Sequence, residues 1–321
     1  MASEEDIAVR EDEHVALSPG IGTGAVAPAR ERSTAADLLR AARPKQWIKN
    51  VLLLAAPFAA GVLGDGPTLG RVLLAIVAFC LAASGTYLLN DVRDVEEDRR
   101  HPRKRGRPVA AGLVSPKLAI TAGVVSLVAG LAVAAAVGLE LLGVVALYVA
   151  TTTAYSLWLR NVAVVDIGIV AFGFILRAVA GGVAAGVPLS RWFLIVASFS
   201  SLFMVAGKRY GEYLDLGPDR ERGRPVLSAY SHSYLRYVWT VASGVAVTAY
   251  CLWAFEESGF HTGPPWYELS IVPFTMSILR YALLLDDGHG SAPEEIVLRD
   301  RTLQVLGAVW VVVFGCGVYF G

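Results

Sequence analysis

The chain has few charged residues and few cysteines, and both shortages narrow the classes of protein it can belong to. Asp, Glu, Lys and Arg make up only 17% of its 321 residues, whereas a soluble domain has about a quarter. The three cysteines, Cys80, Cys251 and Cys316, lie in apolar runs without CxxC spacing, so neither a disulfide framework nor a zinc site is indicated. Basic and acidic residues number 28 each. The net charge therefore identifies no partner, and we expect no nucleic acid to bind.

Apolar residues are abundant instead, and they form nine long runs. The chain is 55% hydrophobic, with a mean hydropathy of +0.53. A bilayer core of about 30 Å needs roughly 20 mostly apolar residues in a helix, and backbone groups in lipid must pair internally. We therefore predict an all-α, polytopic membrane protein with nine transmembrane helices. The predicted spans are 47–64, 69–90, 117–137, 140–158, 162–184, 190–208, 237–256, 267–285 and 302–320.

The loops between these runs differ sharply in their basic residues. The segments 61–68, 138–140 and 257–266 contain no Lys or Arg, whereas the loops after the second and sixth runs are rich in both. Basic loops are retained in the cytoplasm by the positive-inside rule. We predict a multi-pass protein of the plasma membrane whose N-terminus and basic loops are cytoplasmic.

The first 40 residues differ in composition from the rest. An acidic start is followed by a stretch rich in Ala, Gly and Pro, and no apolar segment follows a basic start, so we do not expect a signal peptide. This composition predicts a disordered cytoplasmic tail over residues 1–40. We predict that residues 41–321 form one nine-helix transmembrane domain.

An Asp-rich motif, NDxxDxxxD, lies at the end of the second run. With about 100° per helical residue, Asp91, Asp94 and Asp98 fall within roughly 60° of one another. Asn90 and Tyr87 lie close to the same face. Neighbouring carboxylates repel unless a cation neutralises them, and Mg²⁺ takes few carboxylates and completes its shell with water and phosphate. We predict that Asn90, Asp91, Asp94 and Asp98 hold Mg²⁺, with Asp91 and Asp94 catalytic; a solvated helix end is the alternative.

A basic segment follows the motif directly. Lys104 and Arg107 stand beside Gly106, and such side chains reach phosphate oxygens that a metal leaves uncovered. The alternative is a topology signal or contact with anionic lipid. Within the fifth run, Asp166 and Arg177 are predicted to face the interior of the bundle, since charges exposed to lipid are costly.

Together these residues resemble the UbiA superfamily of intramembrane prenyltransferases, whose members have nine helices and a first NDxxDxxxD motif on the second helix. The KxxRP pattern that follows this motif in the superfamily is matched by Lys104, Arg107 and Pro108. The sequence is most similar to the branch that transfers 5-phosphoribose to a polyprenyl phosphate for cell-wall arabinan synthesis. The segments that carry this similarity are 43–50, 85–91, 155–156, 160–161 and 208–212.

One departure from the superfamily pattern bears on the substrate. Ordinary members have a second acidic motif after the sixth helix, where it holds a second Mg²⁺. Here that position reads Lys208, Arg209 and, three residues later, Glu212. Cations pair directly with phosphate oxygens, and phosphoribosyl diphosphate and a polyprenyl phosphate bring more phosphate than a prenyl diphosphate with a neutral acceptor. The basic position therefore favours phosphoribosyl transfer.

The resemblance implies transfer of 5-phosphoribose from phosphoribosyl diphosphate to a polyprenyl (decaprenyl) phosphate, with Mg²⁺ as cofactor and diphosphate released. Arg160 is expected to meet the lipid phosphate or to act as a snorkelling anchor. The alternatives are a prenyltransferase that joins a polyprenyl diphosphate to an aromatic acceptor, and a transporter, whose site usually lies at the midplane. A homo-oligomer is compatible with the sequence. The predicted substrate-binding residues are Lys45, Gln46, Lys49, Tyr87, Lys104, Arg107, Tyr155, Arg160, Lys208, Arg209 and Glu212.

Overall fold

The computed structural model describes residues 34–101, 104–217, 224–260, 263–288 and 293–321, with the side chains of 293–295 left out. Every regular element in these ranges is helical. The α-helices are α1 (Thr34–Ala41), α2 (Ala55–Ala59), α3 (Gly66–Arg93), α4 (Val95–Arg100), α5 (Pro116–Val137), α6 (Leu139–Leu157), α7 (Val165–Ala185), α8 (Arg191–Leu216), α9 (His232–Ser258), α10 (Trp266–Asp286), α11 (Pro293–Arg299) and α12 (Arg301–Phe320). The predicted all-α class is confirmed.

Eight of these helices are long and apolar enough to cross a membrane: α3, α5 to α10, and α12. They correspond to the second to ninth predicted runs. Helix α8 continues to Leu216, well beyond the predicted end at 208, and Gly217 follows it with a φ of 49°. Eight spanning helices are therefore found in the described part of the chain, and the chain is a multi-pass membrane protein.

The first predicted run, 47–64, is not a long α-helix. It begins in a 3₁₀ helix, Pro44–Leu54, which continues into the short α2. Pro57 has no N–H to donate to the Leu53 carbonyl, and that carbonyl lies against Gly181 of α7 instead. At about 2.0 Å per 3₁₀ residue and 1.5 Å per α residue, the segment is still about 30 Å long. The prediction of nine long transmembrane α-helices is thus not confirmed, because the first segment has a different hydrogen-bond pattern.

Glycines allow α3 and α5 to pack in close contact. A Cβ added at Gly85 would lie 2.7 Å from the carbonyl oxygen of Gly123, and one added at Gly130 would lie 2.9 Å from that of Ala78. Small residues at such positions let membrane helices approach closely. The register of these contacts makes α3 and α5 antiparallel. This close contact with α5 fixes the position of α3, the helix on which the Asp-rich motif begins.

A small core packs α1 against the motif-bearing end of α3. Ala41 of α1, Leu88 of α3 and Val114 are buried together. Residues 34–40, which composition assigns to the predicted tail, are helical here, and Leu38 packs against this core; the tail and its boundary at residue 40 stay predictions. The rest of the predicted tail, 1–33, lies outside the described residues.

Candidate active site

The Asp-rich motif is divided between two helices. Helix α3 ends at Arg93, and Asp94 lies between it and α4 with a φ of −92° and a ψ of 12°. The Asp94 N–H donates to the Asn90 carbonyl at 2.9 Å, and the Asp94 carbonyl accepts from the Asp98 N–H at 2.8 Å, so Asp94 is bonded to both helices. The backbone thus leaves the α-helical conformation at Asp94, within the stretch whose spacing predicts one helical face.

Arg107 bridges the two carboxylates that the break separates. Its Nη1 lies 2.7 Å from Asp98 Oδ2 and 3.4 Å from Asp91 Oδ1. Both carboxylates are almost completely buried. Arg107, which the sequence predicts to bind phosphate, thus contacts two carboxylates of the Asp-rich motif; its contact with phosphate stays a prediction.

Arg43 also contacts the Asp91 carboxylate, and sequence reasoning did not assign it to the site. Its guanidinium lies 4.7 Å from the centroid of the Tyr87 ring, within cation–π range. Its backbone is left-handed, with φ 57° and ψ 59°. Such a conformation is uncommon outside glycine and often occurs at functional sites. The only sequence signal was its place at the start of the 43–50 segment.

Asp94 contacts Arg160 and Arg93. Arg160 Nη1 donates to Asp94 Oδ2 at 3.1 Å, and its Nη2 lies 3.4 Å from Glu97 Oε2. Arg93 contacts the other Asp94 oxygen at 2.9 Å. Asn90 Nδ2 donates to Ser156 Oγ at 2.9 Å. The structure therefore places Arg160 at the Asp-rich motif rather than at an isolated membrane anchor point. We call Arg43, Asn90, Asp91, Asp94, Asp98, Arg107 and Arg160 the acidic half-site.

A second polar cluster surrounds Arg209 of α8. This arginine is 2% exposed, and its Nε and Nη1 donate to Asp166 Oδ2 at 2.7 Å and Glu212 Oε2 at 3.0 Å. Its Nη2 lies 3.3 Å from the Tyr155 hydroxyl, and Lys208 Nζ lies 3.9 Å from Glu212. All three nitrogens of Arg209 thus contact protein groups, so a direct contact with substrate stays a prediction.

Asp166 is fully buried at the start of α7, as predicted, and its partners fix its position. Tyr230 donates to its Oδ1 at 2.5 Å, and the Val164 N–H donates to the Tyr230 hydroxyl at 2.6 Å. Val164 has a positive φ of 68°, which is unusual for a β-branched residue. Burial raises the pKa of Tyr230, and the hydrogen bond to Asp166 raises it further. The phenol therefore stays protonated and keeps donating to the carboxylate.

Arg224 completes this cluster, and it too was not predicted as a site residue. One Nη contacts the Tyr155 hydroxyl, and the other lies 3.5 Å from Glu212 Oε2. Its side chain is 27% exposed, compared with 2% for Arg209. We call Tyr155, Asp166, Lys208, Arg209, Glu212, Arg224 and Tyr230 the basic half-site.

Four further residues are predicted to bind substrate, namely Lys45, Gln46, Lys49 and Lys104. Lys45 is exposed, whereas Gln46, Lys49 and Lys104 are partly buried. Lys49 Nζ lies 5.9 Å from the centroid of the Phe174 ring. Whether these four contact substrate stays a prediction.

Arg177 lies outside both half-sites, in the interior of the bundle as predicted. Its Nε donates to Asn50 Oδ1 at 2.9 Å, its Nη1 to the Gly173 carbonyl at 2.7 Å and its Nη2 to the Tyr148 hydroxyl at 2.9 Å. The Tyr148 ring centroid lies 4.7 Å from its guanidinium. These contacts satisfy a buried cation that lipid could not solvate.

The acidic half-site retains one donor atom suited to a divalent cation. No group of three or more His, Cys, Asp or Glu side chains is gathered for a metal within the described residues. Asp91 Oδ2, however, is buried without a hydrogen-bond partner in the described structure. Mg²⁺ is usually held by only one or two carboxylates together with water and substrate phosphates. The residues present therefore fit such an ion.

The fold and the site define a multi-pass membrane protein with charged groups gathered at one end of its bundle, and comparison identifies the family. The model of the UbiA prenyltransferase family matches residues 51–299, so the chain belongs to this family, as predicted. The decaprenyl-phosphate phosphoribosyltransferase of Corynebacterium glutamicum is 46% identical over 293 residues, covering 90% of this chain and 88% of the relative. The protein of that name from Mycobacterium tuberculosis is 48% identical over 292 residues, covering 89% and 95%.

Solved structures share the fold at low sequence identity. A UbiA homolog from Archaeoglobus fulgidus, bound to GPP and Mg²⁺, superimposes with a TM-score of 0.65 and 17% identity, covering 88% of this chain and 99% of that one. A structure of digeranylgeranylglyceryl phosphate synthase gives a TM-score of 0.62 and 16% identity, covering 90% and 100%. These likenesses place the helices of this chain in a UbiA-type bundle.

Proposed function

We propose that this chain transfers 5-phosphoribose from phosphoribosyl diphosphate to a polyprenyl phosphate, specifically decaprenyl phosphate, and releases diphosphate. The observation that carries the proposal is the basic half-site at the position where a second acidic motif is expected. The names of the relatives that are 46% and 48% identical support the same reaction.

The basic half-site suits phosphorylated substrates without a bridging metal. It brings three cations, Lys208, Arg209 and Arg224, together with two carboxylates, Asp166 and Glu212. An added phosphate oxygen is attracted by the excess positive charge and by guanidinium N–H donors. A conventional site with a second acidic motif would need a bridging metal ion to bind the same group.

The acidic half-site suits the leaving diphosphate. Asn90, Asp91, Asp94 and Asp98 are the candidates to hold Mg²⁺ here, with Asp91 Oδ2 the carboxylate oxygen that has no partner in the described structure. The ion when bound would supply Lewis-acid stabilisation to the departing diphosphate oxygens. Arg43, Arg107 and Arg160 contact these carboxylates in the structure. When diphosphate is bound, these arginines can donate some of their hydrogen bonds to its phosphate oxygens instead of to the carboxylates.

In the proposed reaction, a phosphate oxygen of the lipid forms a bond to ribose C1. The C1–O bond to diphosphate breaks, and diphosphate leaves with the electron pair. The lipid phosphate is already anionic near neutral pH, so no side chain has to remove a proton from it. The contribution of the chain is to orient two anionic substrates that would otherwise repel each other.

The basic loops support a site at the cytoplasmic face of the plasma membrane, by the positive-inside rule. Both half-sites lie at that end of the bundle, since they form at the ends of α3, α6 and α8 and at the start of α7. A water-soluble donor and a lipid acceptor would meet there. The cytoplasmic location of the site is thus part of the proposed function.

A two-substrate assay tests the proposed reaction. The purified protein in lipid nanodiscs is given labelled phosphoribosyl diphosphate with decaprenyl phosphate or, in parallel, labelled geranyl diphosphate with hydroxybenzoate. We expect labelled lipid only in the first reaction, its loss with a chelator and its return with added Mg²⁺. Product only from the second reaction would establish aromatic prenyl transfer instead.

A further inference from the structure

Arg224 has one donor that the protein leaves unused. Its Nε is buried and has no hydrogen-bond partner within the described residues. Its two Nη atoms are directed to the Tyr155 hydroxyl and, at 3.5 Å, to Glu212 Oε2. A buried, unpaired guanidinium donor is costly. An anionic ligand that accepts from Nε would remove that cost.

The neighbouring Arg209 differs in this respect. Its Nε and Nη1 donate to the carboxylates of Asp166 and Glu212, and its Nη2 contacts Tyr155. Buried ion pairs of this kind are broken only at a large cost, so Arg209 stays where it is when substrate arrives. Its guanidinium fixes Glu212 and Tyr155, the same two groups that hold Arg224.

Arg224 is also more accessible. Its side chain is 27% exposed, and its Nη2 lies 3.6 Å from Asp166 Oδ2, at the limit of an ion pair. The Tyr155 hydroxyl, its closest partner, is uncharged and can donate a hydrogen bond to an arriving oxygen. Arg224 and Tyr155, which contact each other, therefore offer two donors, one charged and one neutral.

We infer that Arg224 binds a phosphate monoester carried by a substrate, and that Arg209 and Asp166 are positioning residues that hold it in place. Guanidinium and phosphate form parallel, charge-assisted hydrogen bonds. The phosphate is either the 5-phosphate of the donor or the phosphate of the acceptor lipid. The inference rests on the proposed function and assigns the phosphate contact to Arg224 rather than to Arg209.

The test uses the full chain in nanodiscs, with Arg224→Gln and Arg224→Lys as variants. Arg236→Gln is the control, because Arg236 is an exposed arginine whose partner, Asp286, lies at 3.3 Å outside both half-sites. KM is measured separately for phosphoribosyl diphosphate and for decaprenyl phosphate. We expect Arg224→Gln to raise one of them by about 10- to 100-fold, the effect of losing a charge-assisted hydrogen bond. Arg224→Lys should recover part of the loss, and Arg236→Gln should match the wild type.

The substrate whose KM rises identifies the source of the phosphate. Ribose 5-phosphate serves as a second probe: if the donor's 5-phosphate is bound, Arg224→Gln weakens its inhibition by the same factor. Unchanged KM values in an active Arg224→Gln, or a loss confined to kcat, would overturn the inference. A wild type that does not turn over phosphoribosyl diphosphate would overturn the proposed function instead. Should Arg224→Gln fail to fold, the KM shifts of Arg224→Lys decide.

Discussion

Tyr155 and Ser156, consecutive residues at the end of α6, contact different halves of the site. The Tyr155 hydroxyl accepts from Arg209 and Arg224, whereas Ser156 Oγ accepts from Asn90. Because their Cα atoms are only about 3.8 Å apart, the acidic and basic half-sites meet at one helix end. Two substrates held by the two halves would therefore be close enough to react with each other.

Replacement of Asp91 tests the acidic half-site. Asp91→Asn removes the charge that Arg43 and Arg107 contact and weakens the unpaired Oδ2 as a metal donor. We expect phosphoribosyl transfer to fall by about 100-fold or more, the effect of losing one preorganised electrostatic group. The measurement is kcat over a range of Mg²⁺ concentrations. Glu96→Gln, an exposed acid on α4, should behave as the wild type, and equal activity of the two variants would refute the assignment.

Asp166 is expected to matter for stability as well as activity. Asp166→Ala leaves Arg209 buried with one carboxylate partner fewer and removes the acceptor of Tyr230. Breaking a buried pair costs about 3–5 kcal/mol, so the melting temperature in detergent should fall clearly. Asp215→Ala, an exposed acid on α8, is the control. A melting temperature equal to the wild type would show that Asp166 does not hold the cluster together.

Much of the fold was readable from the sequence, because hydropathy and length report directly on membrane helices. Eight spans were found in this way, whereas the Asp-rich motif was found from the type and spacing of its residues. The 3₁₀ segment 44–54 and the break at Asp94 were not, since hydropathy carries no information about the hydrogen-bond pattern. Arg43 and Arg224 were missed because their partners are far away in the chain, 48 residues for Asp91 and 69 for Tyr155. Only the folded bundle brings them together.

The close contact of α7 with the 3₁₀ segment leads to a steric prediction. A Cβ at Gly181 would overlap the backbone of Leu53, which cannot move without displacing the whole segment. We expect Gly181→Ala to destabilise the protein by about 1–3 kcal/mol, the usual cost of overpacking. Gly168→Ala is the matched control on the same helix, since no atom lies within 4 Å of its added Cβ. Equal melting temperatures for the two variants would show that α7 and the segment are not in close contact.

Asp300 links α10 to α12 and predicts a dependence of stability on pH. It accepts from Arg280 Nη2 at 2.7 Å and from the Leu303 N–H at 2.8 Å. These hydrogen bonds, with Arg280 the larger cause, lower the pKa of Asp300. Because the pKa is lower in the folded state, the stabilisation is complete above the unfolded value of about 3.9 and is lost as the pH falls through the lowered value.

The difference in melting temperature between wild type and Asp300→Asn should therefore be constant from about pH 6 to about pH 8. It should shrink in acid, below the unfolded pKa. Arg280→Gln should narrow the same difference at neutral pH, since it removes the larger cause. A difference that persists unchanged into strong acid would show that the ionised carboxylate contributes nothing to the link between the two helices.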